Sequence, residues 1–223
     1  KFWKYLMNNE LIKRILSSLI LIPIVLFAII KGSIYFNIFL ITCFFVILFE
    51  WHKVSKKNNF YYLGIIFLMF SFYTTYILYY INESYINFLF ILVICVSTDI
   101  GGYTFGKLFK GPKLTNISPK KTYSGSIGGF ALTILSTSLF FKISFFFPED
   151  TKIFLSTYMS AILISFVSQI GDIIISYFKR LNKIKHTGNL IPGHGGLLDR
   201  VDGMIFAFPF YYIILKTNLI EFL

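Results

Sequence analysis

The stretch AILISFVSQIGDIIISYFKR, Ala161–Arg180, decides the fold. An apolar run of about 20 residues is what a helix needs to cross the hydrocarbon core of a bilayer. Its one carboxylate, Asp172, is costly in that setting and marks function by default. Working outward, seven segments come close to spanning length: Ile15–Ile30, Ile34–Phe49, Tyr62–Ile81, Ile86–Thr98, Ile127–Phe147, Ile153–Tyr177 and Met204–Ile220. Backbone that faces lipid must satisfy its own hydrogen bonds, so the abundant Ile and Phe predict helices rather than strands. The expected fold is all-α: a polytopic integral membrane protein with about seven transmembrane helices.

Composition agrees. Of 223 residues 56% are apolar, 20% aromatic and 14% charged, with a mean hydropathy of +0.72. A soluble domain carries about a quarter charged residues. Disorder is excluded, and a cytosolic enzyme or a disulfide-stapled secreted domain is disfavoured. The two cysteines, Cys43 and Cys95, sit inside apolar runs and read as packing residues. A net charge of +11 would suggest nucleic acid in a soluble protein. Here it reads as a topology signal, and no nucleic-acid partner is expected.

Cytoplasmic loops retain Lys and Arg. Lys1, Lys4, Lys13 and Arg14 lie in the N-terminal arm, and Lys53, Lys56 and Lys57 in the second loop. Lys107, Lys110, Lys113, Lys120 and Lys121 fall in the fourth loop, and Lys179, Arg180, Lys183, Lys185 and Arg200 in the sixth. These are 17 of the 21 basic residues, which places the N-terminus in the cytoplasm and the C-terminus outside. Lys1–Arg14 reads either as an interfacial helix with Phe2, Trp3, Tyr5 and Leu6 against lipid, or as a plain topology anchor. Residues 1–98 are expected to form an N-terminal set of membrane helices with this arm, and 99–223 a C-terminal catalytic membrane region.

Two cytoplasmic loops exceed what a connection requires, Asp99–Ser126 and about Phe178–Gly203. Ser165, Gln169, Asp172, Ser176 and Lys179 recur at helical spacing and form one polar stripe, with Asp172 expected about 8 Å inside the helix end. Asp172 could pair with Lys179 or Arg180 for packing alone. If a helix has begun by Asp199, then Asp199 and Asp202 share a face. With Asp172 they would supply hard oxygen ligands to Mg²⁺, which takes one or two carboxylates, waters and substrate phosphates. Lys107, Lys120, Lys121, Lys179, Arg180, Lys185 and Arg200 would offset phosphate charge, and Gly101, Gly102, Gly193, Gly195 and Gly196 would let amides approach it. His194, between glycines, is a phosphate donor, an acid/base or a turn residue. No GxxxxGK[ST] pattern and no zinc motif occurs.

Ser176, Phe178, Lys179, Arg180 and Lys185, followed by PGHGGLLDRVD at Pro192–Asp202, resemble the C-terminal signature of phosphatidate cytidylyltransferases, the CDP-diacylglycerol synthases. Gly171–Asp172, DIGGYTFGKLF, SPKKTYSGSIGG and, more weakly, Glu50–Trp51 fit as well. The resemblance implies Mg²⁺-dependent transfer of CMP from CTP to phosphatidic acid with loss of pyrophosphate, in the inner (cytoplasmic) membrane with the site facing the cytoplasm. It implies metal and catalytic roles for Asp172, Asp199 and Asp202. It adds Lys121 and His194 to the catalytic set, and substrate contacts from Ser176, Lys179, Arg180, Lys185, Arg200, Gly195, Gly196, Asp99 and Lys107. CTP, phosphatidic acid and membrane lipids are the expected partners, and a homodimer is left open.

Two departures stand out. The family's Lys-Asp pair is Lys185–His186 here, and seven spans are fewer than in a typical member, the shortfall lying in the N-terminal half. Lowered activity, altered substrate choice or missing N-terminal sequence would each fit, and Lys1 stands where an initiating Met would. Two rival functions remain. A CTP-dependent polyprenol or dolichol kinase would keep the nucleotide site but move the γ-phosphoryl group, and the long PGHGG and DRVD signature disfavours it. An ion-coupled transporter would use Asp172 as carrier, but transport sites lie near the midplane, whereas Asp99, Asp172, Asp199 and Asp202 are expected at the cytoplasmic edge.

Overall fold

A computed structural model describes residues 10–56, 59–81, 85–143, 151–193 and 195–217. Its helices are α1 (Glu10–Lys31), α2 (Ser33–Ser55), α3 (Tyr61–Tyr80), α4 (Ile86–Phe109), α5 (Tyr123–Ile143), α6 (Thr151–Leu181), α7 (Leu198–Val201) and α8 (Met204–Thr217). Among the described residues β pairing is confined to two isolated bridges, Lys113 with Thr122 and Ile191 with Gly195.

Among the described residues five helices, α2 to α6, are long and apolar enough to cross a membrane. Large side chains point outward from them, such as Phe45 at 64% and Ile66 at 66% exposure, as lipid contact requires. The chain is an integral membrane protein. The expected first and seventh spans are shorter apolar segments, Leu16–Lys31 and Met204–Thr217. The helix that carries the first, α1, is itself 22 residues long. α8 is described over 14 residues, and residues 218–220 of the expected seventh span lie outside the described residues. Residues 1–9 of the arm lie outside the described residues, as do Lys57, Glu83, Glu149, Asp150 and Glu221.

The chain divides into two compact units, one of residues 1–72 and 178–201, the other of residues 73–177 and 202–223. The expected line between 98 and 99 falls inside α4.

The second unit explains why the fourth span is not short. Asp99, Gly101 and Gly102 suggest a loop, yet α4 continues to Phe109 and stops where Lys110 takes a left-handed φ of 50°. A helical glycine costs up to about 1 kcal/mol, and here close packing offsets it. A Cβ on Gly101 would overlap the Gly128 carbonyl, and one on Gly128 would overlap the Phe105 side chain. Glycines thus let α4 and α5 approach backbone to backbone, as small residues do in membranes. Gly101 and Gly102 therefore serve helix packing, and their amides do not form a phosphate-binding loop. The first loop shrinks to residues 110–122.

Hydroxyls stitch the same unit inside its apolar surroundings. Thr98 Oγ1 meets Ser165 Oγ at 2.8 Å and Thr133 Oγ1 at 3.0 Å, and Ser136 Oγ donates to Ser97 Oγ at 2.9 Å. Phe88 stacks on Phe208 at 5.2 Å, anchoring α8 against α4.

In the first unit, Gly32 at φ 60° turns the chain between α1 and α2. Trp51 donates through Nε1 to the Tyr61 carbonyl at 3.1 Å and meets the Phe178 ring edge to face at 5.1 Å. These contacts fasten the end of α2 to the start of α3 and to the segment that carries the second loop.

Candidate active site

The second unit holds the first acid. α6 runs to Leu181 rather than Tyr177, so Asp172 lies nine residues, about 13 Å, from the helix end rather than about 8 Å. Its partner is neither Lys179 nor Arg180. Lys121 Nζ lies 2.5 Å from Asp172 Oδ2 and 3.4 Å from the Gln169 carbonyl, and Ser176 Oγ donates to Asp172 Oδ1 at 3.3 Å. Both members of the ion pair keep some exposure, 22% for the Lys121 side chain and 30% for that of Asp172.

The loop before α5 is built to present this lysine. Leu114 N donates to the Lys121 carbonyl at 2.8 Å and Lys121 N to the Ser118 carbonyl at 2.9 Å. Above it on the stripe, Ser126 Oγ donates to Gln169 Oε1 at 2.5 Å. The stripe therefore faces protein on its membrane side and the acid–lysine pair on the other.

Asp202 belongs to the same unit but not to a shared helix face with Asp199. α7 ends at Val201, and Asp202 begins the break before α8, where its Oδ1 accepts the Gly203 amide at 3.0 Å. Gly171 lets this break pack on α6, because a Cβ there would lie 3.0 Å from the Asp202 carbonyl. Asp172 thus follows the residue against which Asp202 packs.

The first unit holds the second acid. Asp199 Oδ1 accepts from Lys179 Nζ at 2.8 Å, and Oδ2 from the amides of Thr187 at 2.9 Å and Gly196 at 3.2 Å. His186 Nδ1 stands 3.6 Å from Oδ2. The Lys179 and Asp199 side chains are only 9% and 5% exposed. Burial pushes the Asp199 carboxyl upward, but the Lys179 ammonium and the two amides outweigh it and hold the group below the usual carboxylate range. Asp199 is therefore held as the carboxylate near neutrality.

The segment around it is a tight loop. Ile191 and Gly195 exchange both backbone hydrogen bonds, at 2.9 and 3.1 Å, and Gly195 adopts φ 91°, a conformation that favours glycine. His194 lies outside the described residues.

Among the remaining predicted contacts, Arg180 donates from Nη1 to the Ile184 carbonyl at 3.0 Å and so closes the end of α6. Lys185 and Arg200 are exposed in the first unit, and Asp99 and Lys107 are exposed on α4 in the second. Lys107 Nζ sits 5.8 Å above the Tyr103 ring. Among the described residues no three His, Cys, Asp or Glu side chains stand together as a metal-binding group.

Sequence reading passed over Glu50 as a site residue. Its carboxylate is 3% exposed and accepts from the amides of Leu197 and Leu198 at 2.9 and 2.8 Å and from the Thr187 hydroxyl at 2.9 Å. The available signal was an acid placed directly after the apolar run Ser33–Phe49.

Comparisons with known proteins bear on this geometry. A model of the Cytidylyltransferase family matches residues 12–84 and 55–218. A protein of Rickettsia bellii named phosphatidate cytidylyltransferase is 34% identical over 93% of this chain and 91% of its own length. Its namesake from Rickettsia felis is 32% identical over 90% of each. The same name attaches to a Brucella suis protein that is 39% identical over 58% of this chain and 47% of its own. The match covers the polar stripe of α6, the Lys121 loop and the whole Asp199 loop, so the chain belongs to the Cytidylyltransferase family.

Proposed function

We propose that this chain is a CTP:phosphatidate cytidylyltransferase, an integral membrane nucleotidyltransferase that converts CTP and phosphatidic acid to CDP-diacylglycerol and pyrophosphate. The observation that carries the reading is a pair of carboxylates, Asp172 and Asp199, each bonded to a lysine on the polar end of an otherwise apolar helix or in the loop that follows it. That is an arrangement for binding polyphosphate at a membrane, and the family and its named relatives supply the reaction.

In that reaction an oxygen of the lipid phosphate monoester attacks the α-phosphorus of CTP. The new P–O bond forms as the bond to the β-phosphate oxygen breaks, and the electron pair leaves with pyrophosphate. Lys121 and Lys179 are the cations best placed to stabilise this departing charge, because both are fixed by carboxylates rather than free in solvent. Ser176, Arg180, Lys185, Arg200, Asp99, Lys107, Gly195, Gly196 and His194 are assigned as further contacts to substrate or to the reacting groups.

Mg²⁺ is proposed as the cofactor, with Asp172, Asp199 and Asp202 as its carboxylates. The donor chemistry fits: hard oxygen atoms are what Mg²⁺ selects, and one or two of them suffice when phosphates and waters complete the shell. Asp172 fits most readily, since its carboxylate keeps 30% exposure and its partners are one ammonium and one hydroxyl. When bound, the ion would neutralise triphosphate charge and polarise the phosphoryl oxygens.

Incubating purified protein with phosphatidic acid and CTP labelled at either the α- or the γ-phosphate tests the function. Label from the α-phosphate should enter the lipid. Label from the γ-phosphate would instead identify a lipid kinase.

The seven-span topology with a cytoplasmic N-terminus and active site, in the inner membrane, is proposed on the 17 basic residues of one side. In a background with Cys43 and Cys95 replaced by serine, a cysteine at Lys113 should resist an impermeant thiol reagent applied outside the cell. A cysteine at Glu149 should react, and the reverse pattern would overturn the orientation.

A further inference from the structure

Glu50 is a carboxylate that the reaction above does not use, although it lies as deep as any charged group described. It stands near the end of α2, 3% exposed, about 140 residues before the loop it holds. Among the described residues, the donors reaching it are two backbone amides and one hydroxyl, all from that loop. Every contact uses the carboxylate as acceptor, and the amides of Leu197 and Leu198 are those that open α7. An acid at a helix start satisfies donors that the helix itself cannot.

The loop is shaped around this side chain. A Cβ on Gly188 would fall 2.8 Å from Glu50 Oε1, and one on Gly196 would fall 2.5 Å from Oε2. Both positions admit Glu50 because they are glycine. Gly195 and Gly196 therefore have different reasons to exist: the first supplies a positive φ, the second supplies room.

Glu50 and Asp199 also share partners. Thr187 donates its hydroxyl to Glu50 and its amide to Asp199. Gly196 donates its amide to Asp199 while making space for Glu50, and Leu198, held by Glu50, directly precedes Asp199. A shift of the Glu50 carboxylate would move the donors on which the Asp199 position depends.

We infer that Glu50 is a positioning residue for CMP transfer, which fixes the Thr187–Leu198 loop so that Asp199 and its Lys179 partner are held ready, without itself touching substrate. The inference rests on the proposed cytidylyltransferase reading for its consequence in turnover, but its structural half can be tested alone.

The test compares Glu50→Gln with the wild type and with Asp199→Asn, all as full chains in detergent. Gln keeps size and one acceptor but turns an NH₂ group toward donors. We expect kcat for CMP transfer to fall by about 10- to 100-fold, with KM for CTP changed less than about twofold, as for a group whose effect falls on the transition state. In the Asp199→Asn background the same change should cost less than about twofold, since residues acting as a unit are not additive. Amide hydrogen exchange over residues 187–201 should accelerate in Glu50→Gln. Wild-type kcat, an undiminished cost beside Asp199→Asn, or unchanged exchange would each overturn the inference. Should Glu50→Gln fail to fold, Thr187→Val removes only the hydroxyl contact, and a smaller kcat loss, again absent beside Asp199→Asn, is expected. An inactive wild type would sink the functional reading instead, and the exchange data would still decide the role of Glu50.

Discussion

The two acid–lysine pairs differ in how they are held. Asp172 has one ammonium, one hydroxyl and continuing exposure, and its lysine arrives from a short loop before α5. Asp199 is enclosed, with both oxygens engaged by an ammonium and two amides, inside a loop that a second buried carboxylate braces. The first pair can change partners at little structural cost. Removing the second acid costs more, because the buried Lys179 ammonium and two amides lose their acceptor. Each unit thus carries one acid–lysine pair, the one in the second unit adaptable and the one in the first unit fixed.

That contrast is open to attack at several strengths. The largest effect concerns chemistry, where both acids should behave alike. Loss of a transition-state interaction of about 3 to 4 kcal/mol corresponds to roughly 10² to 10³ in rate. Asp172→Asn and Asp199→Asn should each lower CMP incorporation into lipid by that factor or more, and Asp202→Asn by a similar or smaller one.

Stability should separate them. Breaking a buried pair costs about 3 kcal/mol, whereas a partly exposed pair is worth about 1 kcal/mol or less. At about 2 to 4 °C per kcal/mol for a chain of this size, Asp199→Asn should melt about 6 to 12 °C lower in detergent. Asp172→Asn should stay within about 4 °C of the wild type. Equal melting temperatures would erase the distinction between the adaptable and the fixed acid.

The smallest effect probes the Asp199 surroundings. His186 stands 3.6 Å from Asp199 at the position where the family pattern has Asp. If an acid serves turnover there, His186→Asp should raise kcat. Unchanged or lower kcat would show that this loop has adapted to the imidazole.

Much of this architecture was legible in the sequence, and what was not has physical reasons. Helicity and membrane insertion followed from the apolar runs, since the bilayer permits little else. The extent of α4 did not, because Gly101 and Gly102 read as loop residues until Gly125, Gly128 and Gly129 are seen to face them. Asp172 and Asp199 stood out as acids in improbable places, but their partners did not. Lys121 was one of many lysines near a membrane face, and nothing local ties it to an acid 51 residues later. Glu50 was hidden most deeply, since its role depends on a loop about 140 residues away and on amides, which every residue possesses.

The measurement that tests the central claim most directly is CMP transfer from CTP to phosphatidic acid by Asp172→Asn and Asp199→Asn as Mg²⁺ is raised. The account predicts a loss of roughly 10² or more in both at ordinary Mg²⁺. Added Mg²⁺ should recover part of it for Asp172→Asn, whose position is accessible, and less for Asp199→Asn, whose position is enclosed by an ammonium and two amides. Near-normal transfer by both variants would contradict the assignment of these carboxylates to the reaction.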